Sequence, residues 1–262
     1  MPLTQQQTVE IENILKYQIR RKLDDYSPET KNMPFHTRLL GDDRMALFSF
    51  IQSINTTLGT SVFEQIAAII ARPHFRKAIN QYKEFNHTIS SDAQSVIQQI
   101  IDDLQAMRYR PDKQKEIDLI LSVAQKGLIK TIKRPRIDLY LEDYDGTEYY
   151  FDLKTAKPNI GEIVGFKRKI LEWVAIREAV NQNPKIFTGI AIPYNPYEPE
   201  PYARWTFQGM FDLQNEMKVA DEFWDFLGGD KTYEQLLALF EKVGIELRHE
   251  IDDKFSSLAN KG

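Results

Sequence analysis

The stretch that decides the fold is residues 136–155, RIDLYLEDYDGTEYYFDLKT. Residues 136–142 alternate between polar and apolar side chains, which is typical of a β-strand with one buried face. Residues 148–155 alternate more loosely and are rich in β-forming residues. Residues 143–147, which join the two runs, contain the turn-favouring step Asp145-Gly146. The stretch therefore predicts a β-hairpin.

The regions on both sides of this hairpin are predicted to be mainly helical, because apolar residues recur there at the spacing of a helix. The predicted helices span residues 5–25, 45–58, 61–72, 91–107, 115–125, 162–181, 215–227, 232–243 and 246–258. Gly59 is expected to separate the second helix from the third. The apolar run at residues 185–192 is expected to form a buried central strand.

The order strand, strand, long helix, strand in the middle of the chain indicates an α/β fold, in which helices flank a mixed β-sheet. We expect residues 1–110 to form a mainly helical N-terminal region that contributes a helix to the core. Residues 111–262 are expected to form the core itself and its C-terminal helices. The two regions are expected to make one integrated domain.

Composition excludes several classes of protein. The 262 residues include no cysteine, which excludes a disulfide framework, a thiolate zinc site and a cysteine nucleophile. The net charge of −4 excludes a uniformly basic nucleic-acid coat but leaves room for a local basic groove. The four histidines are dispersed, and the glycine motifs of nucleotide binding are missing. With no signal peptide and no apolar membrane span in the sequence, we expect a cytoplasmic protein.

The residues that carry chemistry on the predicted hairpin are Asp138, Asp152 and Lys154. Because side chains alternate along a strand, Asp152 and Lys154 should point to the same face. If Asp138 faces the same way, two carboxylates and one ammonium group converge. Close carboxylates repel each other, and a divalent cation that prefers oxygen ligands, such as Mg²⁺, relieves this repulsion. The alternative is that the Asp-x-Lys triplet is an ordinary surface ion pair.

The arrangement RID at residues 136–138, thirteen intervening residues and DLK at residues 152–154 resembles the motif of the PD-(D/E)xK nucleases. The resemblance implies a nuclease core in which the motif lies on a central hairpin of a mixed sheet. It implies these site residues: Asp138, Asp152 and the carbonyl group of Leu153 as ligands of Mg²⁺, and Lys154 acting on the attacking water.

Nucleases of this superfamily often add a glutamate from an upstream helix to the metal site. The candidate is Glu64, and Glu116 and Glu162 are the alternatives. Glu64 also fits a capping box, because Ser61 lies three residues before it at the predicted start of a helix. In that interpretation Glu64 bonds to its own helix N-terminus and not to a metal.

Four stretches across the chain are similar to the TdeIII-type group of type II restriction endonucleases. They are PFHTRLL at residues 34–40, GTSVFE at 59–64, DLKTAKPN at 152–159 and EFWDFLGG at 222–229. This resemblance implies a short palindromic target in duplex DNA, similar to GGNCC. A departure from the superfamily motif is Ile137, which stands where the motif has a weakly specific proline.

Basic residues lie on both sides of the motif and suit contacts with DNA phosphates. Five of them, and no acid, lie between Leu119 and Ile137, and the helix after the motif carries Lys167-Arg168-Lys169. The candidate DNA-binding residues are Lys157, Asn159 and Lys169 for the backbone, and Arg204 and Gln208 for bases. Arg204 and Gln208 are candidates because they lie in or just after the proline-rich stretch that follows residue 192. This stretch also fits an ordinary surface loop.

These observations favour a Mg²⁺-dependent type II restriction endonuclease that cleaves double-stranded DNA and leaves 5′-phosphates. The alternatives are a nuclease of DNA repair or junction cleavage and a non-catalytic DNA-binding module on a nuclease fold. A homodimer is expected, since twofold symmetry matches a palindrome and supplies one active site for each strand. A cognate DNA methyltransferase is the expected genetic partner.

Overall fold

The computed structural model describes residues 3–26, 33–83, 87–132, 136–154, 156–180, 184–203 and 205–259. Its strands are β1 (Lys77–Tyr82), β2 (Thr88–Ser90), β3 (Ile129–Thr131), β4 (Ile137–Glu142), β5 (Glu148–Leu153), β6 (Ile186–Ile192) and β7 (Met217–Val219). Five of them form a mixed sheet in the order β1-β4-β5-β6-β7, and β2 and β3 form a separate two-stranded ribbon. The α/β fold expected from the sequence is confirmed.

Helices pack on both faces of the five-stranded sheet. They are α1 (Gln5–Asp25), α2 (Pro34–Leu40), α3 (Asp42–Thr57), α4 (Phe63–Ala71), α5 (Ser91–Gln105), α6 (Lys113–Leu121), α7 (Ile160–Glu178), α8 (Trp205–Gln208), α9 (Leu213–Glu216), α10 (Asp221–Gly228), α11 (Thr232–Glu246) and α12 (Arg248–Ala259). Buried side chains of α5, α6 and α7 share one apolar core with the sheet. Those of α1, α4, α10 and α11 share the core on the opposite face.

The predicted hairpin is confirmed as β4 and β5, which pair in antiparallel register. Tyr140 and Tyr150 face the core beneath α7, whereas their neighbours Leu139 and Phe151 face the core beneath α4. This alternation follows from the pleat of the strands. The turn that joins the strands contains Gly146 at φ 83°, a left-handed conformation that glycine adopts without steric cost. The helix and strand predicted after the hairpin are confirmed as α7 and β6.

Two short edge strands correct the predicted helix pattern. The strand β1 lies in the N-terminal region that the sequence analysis assigned to helices, and β7 interrupts the helix predicted at residues 215–227. Both strands lie at the edges of the sheet, where only one side is paired and half the backbone groups face outward. Their sequences, KAINQY and MKV, carry little of the periodicity that marks a central strand.

Gly59 does not end a helix, contrary to the sequence prediction. A π-helical turn at Leu58–Val62 joins α3 directly to α4, and the N–H of Phe63 donates to the carbonyl of Leu58. The helical path is therefore continuous from Asp42 to Ala71. Within the residues that the structure describes, no helix combines the length and the apolar character needed to cross a membrane.

Candidate active site

The two aspartates of the motif lie opposite each other at the open end of the hairpin. Leu139 of β4 is the register partner of Phe151 of β5, so the next pair outward is Asp138 and Asp152. Both aspartates are buried. Oδ2 of Asp138 accepts a hydrogen bond from the backbone N–H of Leu153 at 3.0 Å. The strands thus hold the two carboxylates side by side.

Two lysines contact the Asp152 carboxylate, one at each oxygen. Nζ of Lys154 lies 2.8 Å from Oδ2, and Nζ of Lys169 lies 2.5 Å from Oδ1. The proximity of Lys154 and Asp152 predicted from strand alternation is confirmed. Lys169 comes from α7, the helix that covers the face to which both aspartates point. The two lysine side chains are 22% and 25% exposed, whereas Asp152 is fully buried.

Burial and charge set the protonation of the pair. Burial raises the pKa of Asp138 to about 7, and the neighbouring Asp152 carboxylate adds to this rise. Burial alone would also raise the pKa of Asp152, but the ammonium groups of Lys169 and Lys154 outweigh it and hold that pKa below its usual range. Asp138 therefore takes up a proton readily, and a bound cation would replace that proton. Because the donors are carboxylate oxygens, the pair fits a hard divalent cation.

Glu64 lies close to this pair and is linked to it through Arg136. Nη2 of Arg136 is 2.8 and 3.1 Å from the two carboxylate oxygens of Glu64. Nε of the same guanidinium is 3.2 Å from Oδ1 of Asp138. Burial raises the pKa of Glu64, and the charge of Arg136 opposes this rise. Glu64 and Asp138 thus face the same guanidinium from α4 and from β4.

The capping-box alternative for Glu64 is wrong, because no helix begins at Ser61. The helical path runs unbroken through residues 58–62 into α4, and the residue that precedes α4, Val62, makes no side-chain cap hydrogen bond. A capping box needs free backbone N–H groups at a helix start. Glu64 therefore has no capping role, and it lies close to the aspartate pair. Its role as a metal ligand stays a prediction.

The alternative glutamates lie in other surroundings. Glu116 is fully buried and pairs with Lys167, at 2.5 Å. Glu162 lies in the first turn of α7 and accepts a hydrogen bond from the backbone N–H of Asn159 at 3.3 Å. Across the described ranges, no three His, Asp or Glu side chains are close enough together to hold a metal ion. With the side chains in these positions, a cation at the aspartate pair needs water, a backbone carbonyl or substrate oxygens as further ligands.

The predicted DNA-binding residues that the structure describes lie in different parts of the protein. Lys157 and Asn159 are exposed in the segment between Lys154 and α7, and Gln208 is exposed at the end of α8. Lys169 contacts Asp152 directly, so a phosphate that it reaches would lie beside this carboxylate. Arg204 lies outside the described residues.

Lys167, which the sequence analysis grouped with Lys169 in a basic cluster, points away from the site. Its side chain is fully buried, and its ammonium group lies between Glu116 and Glu216, at 2.5 and 2.7 Å. Arg168, between the two lysines, donates a hydrogen bond to Gln98 at 2.6 Å. Of the three basic residues, Lys169 is the one that reaches the aspartates.

Sequence reasoning missed the contacts of Arg136 and Lys169 with the acidic residues, although signals for both are present. Arg136 lies two residues before Asp138, which is the spacing of side chains on one strand face. Lys169 lies four residues before Trp173 on α7, so both belong to one helix face. The Lys169 ammonium lies 5.1 Å from the centre of the Trp173 ring, and Trp173 is buried.

Known proteins with similar sequences are restriction enzymes. A model of the family described as type II restriction endonuclease, HinfI, matches residues 3–244. The chain is 28% identical to the type II restriction enzyme HgiEI of Herpetosiphon aurantiacus over 88% of this chain and 86% of that protein. It is 29% identical to HgiCII of the same organism, over 84% and 81% of the two chains. It is 30% identical to the type II restriction enzyme MjaII of Methanocaldococcus jannaschii, over 84% and 65%.

Proposed function

Because the chain belongs to the HinfI family of type II restriction endonucleases, we propose that Asp138, Asp152 and Lys154 form its catalytic centre. Family membership makes the protein a site-specific nuclease whose substrate is DNA. The observation that carries the site assignment is the 2.8 Å approach of Lys154 to Asp152, directly beside Asp138. A surface ion pair does not account for it, because both carboxylates are buried.

We propose Mg²⁺ as the cofactor and the two aspartates as its ligands, together with the carbonyl group of Leu153. The raised pKa of Asp138 supports this proposal, because it reflects burial of the carboxylate and, in addition, repulsion from the adjacent Asp152. Glu64 is the proposed additional ligand. The chemistry that such a cation supplies when bound is neutralisation of phosphate charge and an increased acidity of water.

The protein side chains have separate roles in the proposed hydrolysis. Lys154 donates a hydrogen bond that orients the attacking water and stabilises negative charge as it develops on the phosphate. Lys169 keeps Asp152 ionised and fixes its Oδ1. The water oxygen forms a bond to phosphorus, the bond from phosphorus to the 3′ oxygen breaks, and the products are a 5′-phosphate and a 3′-hydroxyl group.

DNA contacts are proposed on both sides of this centre. Lys157 and Asn159 follow Lys154 closely in the chain and are exposed, which suits contacts with the backbone near the reacting phosphate. Arg204 and Gln208 are the proposed base readers, since arginine suits guanine and glutamine suits adenine in the major groove. These roles follow from side-chain chemistry and from position in the sequence.

A palindromic target and a homodimer are proposed together, since a twofold protein places one active site on each strand of a palindrome. A target similar to GGNCC rests on the TdeIII-type resemblance, and that subgroup stays a prediction beside the matched HinfI family. A DNA methyltransferase of the same specificity is the proposed genetic partner, because the host's own DNA needs protection from such an enzyme.

The test is incubation of purified protein with plasmid DNA and Mg²⁺, with EDTA in the control. Discrete fragments that end at one sequence support the proposal. Cleavage that follows DNA structure and not sequence would indicate a repair or junction nuclease. Intact plasmid at every metal concentration would indicate a non-catalytic module and would overturn the catalytic assignment. The same assay with Asp138→Asn assigns the cleavage to this site.

A further inference from the structure

Arg136 lies between two buried acidic groups that come from different elements. Its guanidinium contacts Glu64 of α4 at 2.8 Å and Asp138 of β4 at 3.2 Å. The Glu64 and Asp138 side chains are 3% and 9% exposed, whereas that of Arg136 is 50% exposed. The acidic groups are therefore fixed in the protein, and the cation that joins them lies at the surface.

Two buried carboxylates that face one space need a positive charge there, because an unpaired buried charge is costly. In this structure the guanidinium of Arg136 supplies such a charge to both groups. The described part of the chain has no cluster of three acidic or histidine side chains close enough to hold a metal. The guanidinium lies between Glu64 and Asp138, at 2.8 and 3.2 Å, so the two carboxylates meet it and not each other.

We propose that Arg136 is an internal counter-ion that competes with the divalent cation for Glu64 and Asp138, and that its displaced guanidinium binds DNA phosphate. The side chain is half exposed, so solvent and DNA can reach its guanidinium. Guanidinium groups bind phosphate through paired hydrogen bonds, so DNA offers a replacement for the lost carboxylates. Metal binding and DNA binding then support each other. The inference rests on the proposed function, since it assumes a metal site at the aspartates.

The first experiment measures Ca²⁺ binding without DNA by isothermal titration calorimetry. Arg136→Gln removes the competing charge, and we expect it to bind Ca²⁺ about tenfold more tightly than the wild type, a difference of about 1.4 kcal/mol. Arg136→Lys keeps a charge but not the two-sided bridge, so its affinity should be intermediate. If Arg136→Gln folds poorly, Arg136→Lys tests the inference in its place.

The matched control is Arg76→Gln. Arg76 pairs with Glu142 at 3.0 Å, and its side chain is 59% exposed against 11% for that carboxylate. Glu142 belongs to the same strand as Asp138 but lies at the turn end of the hairpin. Removing this similar ion pair should leave the Ca²⁺ affinity unchanged.

The second experiment measures DNA binding in Ca²⁺ over a series of salt concentrations. Arg136→Gln should weaken binding to cognate and random DNA by a similar factor and reduce the salt slope by about one unit. Tighter metal binding combined with weaker DNA binding is a result that a purely structural role does not give.

An unchanged or weaker Ca²⁺ affinity in Arg136→Gln, an equal gain in Arg76→Gln, or unchanged DNA binding would overturn the inference. If the wild type still cleaves plasmid with Mg²⁺, the proposed function survives any of these results. A wild type that neither binds the metal nor cleaves would overturn both.

Discussion

Lys169 and Asp152 lie seventeen residues apart in the sequence, and their charged groups are 2.5 Å apart in the structure. Lys154 contacts the other oxygen of the same carboxylate, so Asp152 is held between a lysine of the hairpin and a lysine of α7. The motif supplies one ammonium group, and the helix that follows supplies a second. The position of α7 over the hairpin therefore matters for the state of Asp152.

A buried ionic cluster fixes that position. Lys167 lies two residues before Lys169, which is about 200° around the helix, so the two side chains point in opposite directions. Lys167 contacts Glu116 of α6 and Glu216 of α9, and Glu216 also pairs with Lys113 at 3.3 Å. With one lysine bound on each side, α7 cannot rotate without breaking buried ion pairs, which is costly.

Removing either motif carboxylate should abolish cleavage. Asp138→Asn and Asp152→Asn each remove the charge of a proposed metal ligand while keeping the size of the side chain. We expect no plasmid cleavage above background, with a helical circular dichroism spectrum and most of the DNA affinity retained. Cleavage at the wild-type rate by either variant would show that the catalytic centre lies elsewhere.

Lys169→Met should lower the turnover rate by about 10- to 100-fold, the range typical of residues that orient a metal ligand, because Lys169 fixes the proposed ligand Asp152. The loss should appear in kcat more than in KM, and Lys169→Arg should restore part of it because arginine also pairs with a carboxylate. The control is Lys115→Met. The Lys115 ammonium lies 5.0 Å from the centre of the Tyr109 ring, a ring contact similar in distance to that of Lys169 with Trp173. Equal activities of the two methionine variants would contradict the role of Lys169.

Glu64→Gln tests whether this glutamate binds the metal. The substitution keeps the size and a hydrogen-bonding oxygen but removes the charge, so we expect a strong loss of cleavage. The melting temperature should change little, because Gln can still accept a hydrogen bond from Arg136. Near-normal cleavage would leave Glu64 as a structural partner of Arg136 alone.

The stability of the metal-free protein should fall as the pH rises from about 4 to about 7, owing to Asp138. The pKa of this group is raised by burial to about 7 in the folded protein, against about 3.9 in an unfolded chain. A raised folded-state pKa gives a contribution that is complete below about pH 4 and lost as the pH rises through the folded-state value. Melting temperatures of wild type and Asp138→Asn, both in EDTA, measure this contribution as their difference at each pH. Parallel curves from pH 4 to pH 8 would refute it.

Arg204→Ala and Lys157→Ala should separate base readout from phosphate contact. If Arg204 reads guanine, its loss should cost about 1 to 3 kcal/mol on cognate DNA and little on random DNA. Loss of Lys157 should weaken binding to both DNAs alike and reduce the salt slope by about one unit. Affinities measured in Ca²⁺ over a salt series distinguish these patterns. If Arg204→Ala lost the same affinity for both DNAs, Arg204 would be a phosphate contact and not a base reader.

The sequence predicted the centre of the fold better than its edges. The hairpin, α7 and β6 follow from local periodicity, because each buries a regular apolar face. The contact of Asp152 with Lys154 follows from the pleat of a single strand. The edge strands β1 and β7 have weak patterns of their own, and their conformation depends on hydrogen bonds to the neighbouring strands β4 and β6.

The site residues outside the motif were harder to predict, because their contacts join distant parts of the chain. Glu64 was given a capping alternative since Gly59 suggested a helix break that the π-helical turn removes. Lys167 was placed in a basic cluster although its helical neighbours Ile163, Ile170, Leu171 and Val174 form an apolar stripe. A charge within such a stripe indicates a buried partner, but the identity of that partner depends on the tertiary fold.

The two ends of the β4–β5 hairpin differ in whether the chain can be lengthened there. Asp138 and Asp152 lie at its open end, and Glu142, the last strand residue before the turn at residues 143–147, lies four residues from Asp138, a distance of roughly 14 Å at about 3.4 Å per residue. The turn residue Tyr144 is 71% exposed. A longer loop, or a fluorescent label at this position, would therefore enter solvent and leave the spacing of the carboxylates unchanged. The hairpin thus offers a place where the chain can be extended to report on DNA binding without altering the end that carries the two aspartates.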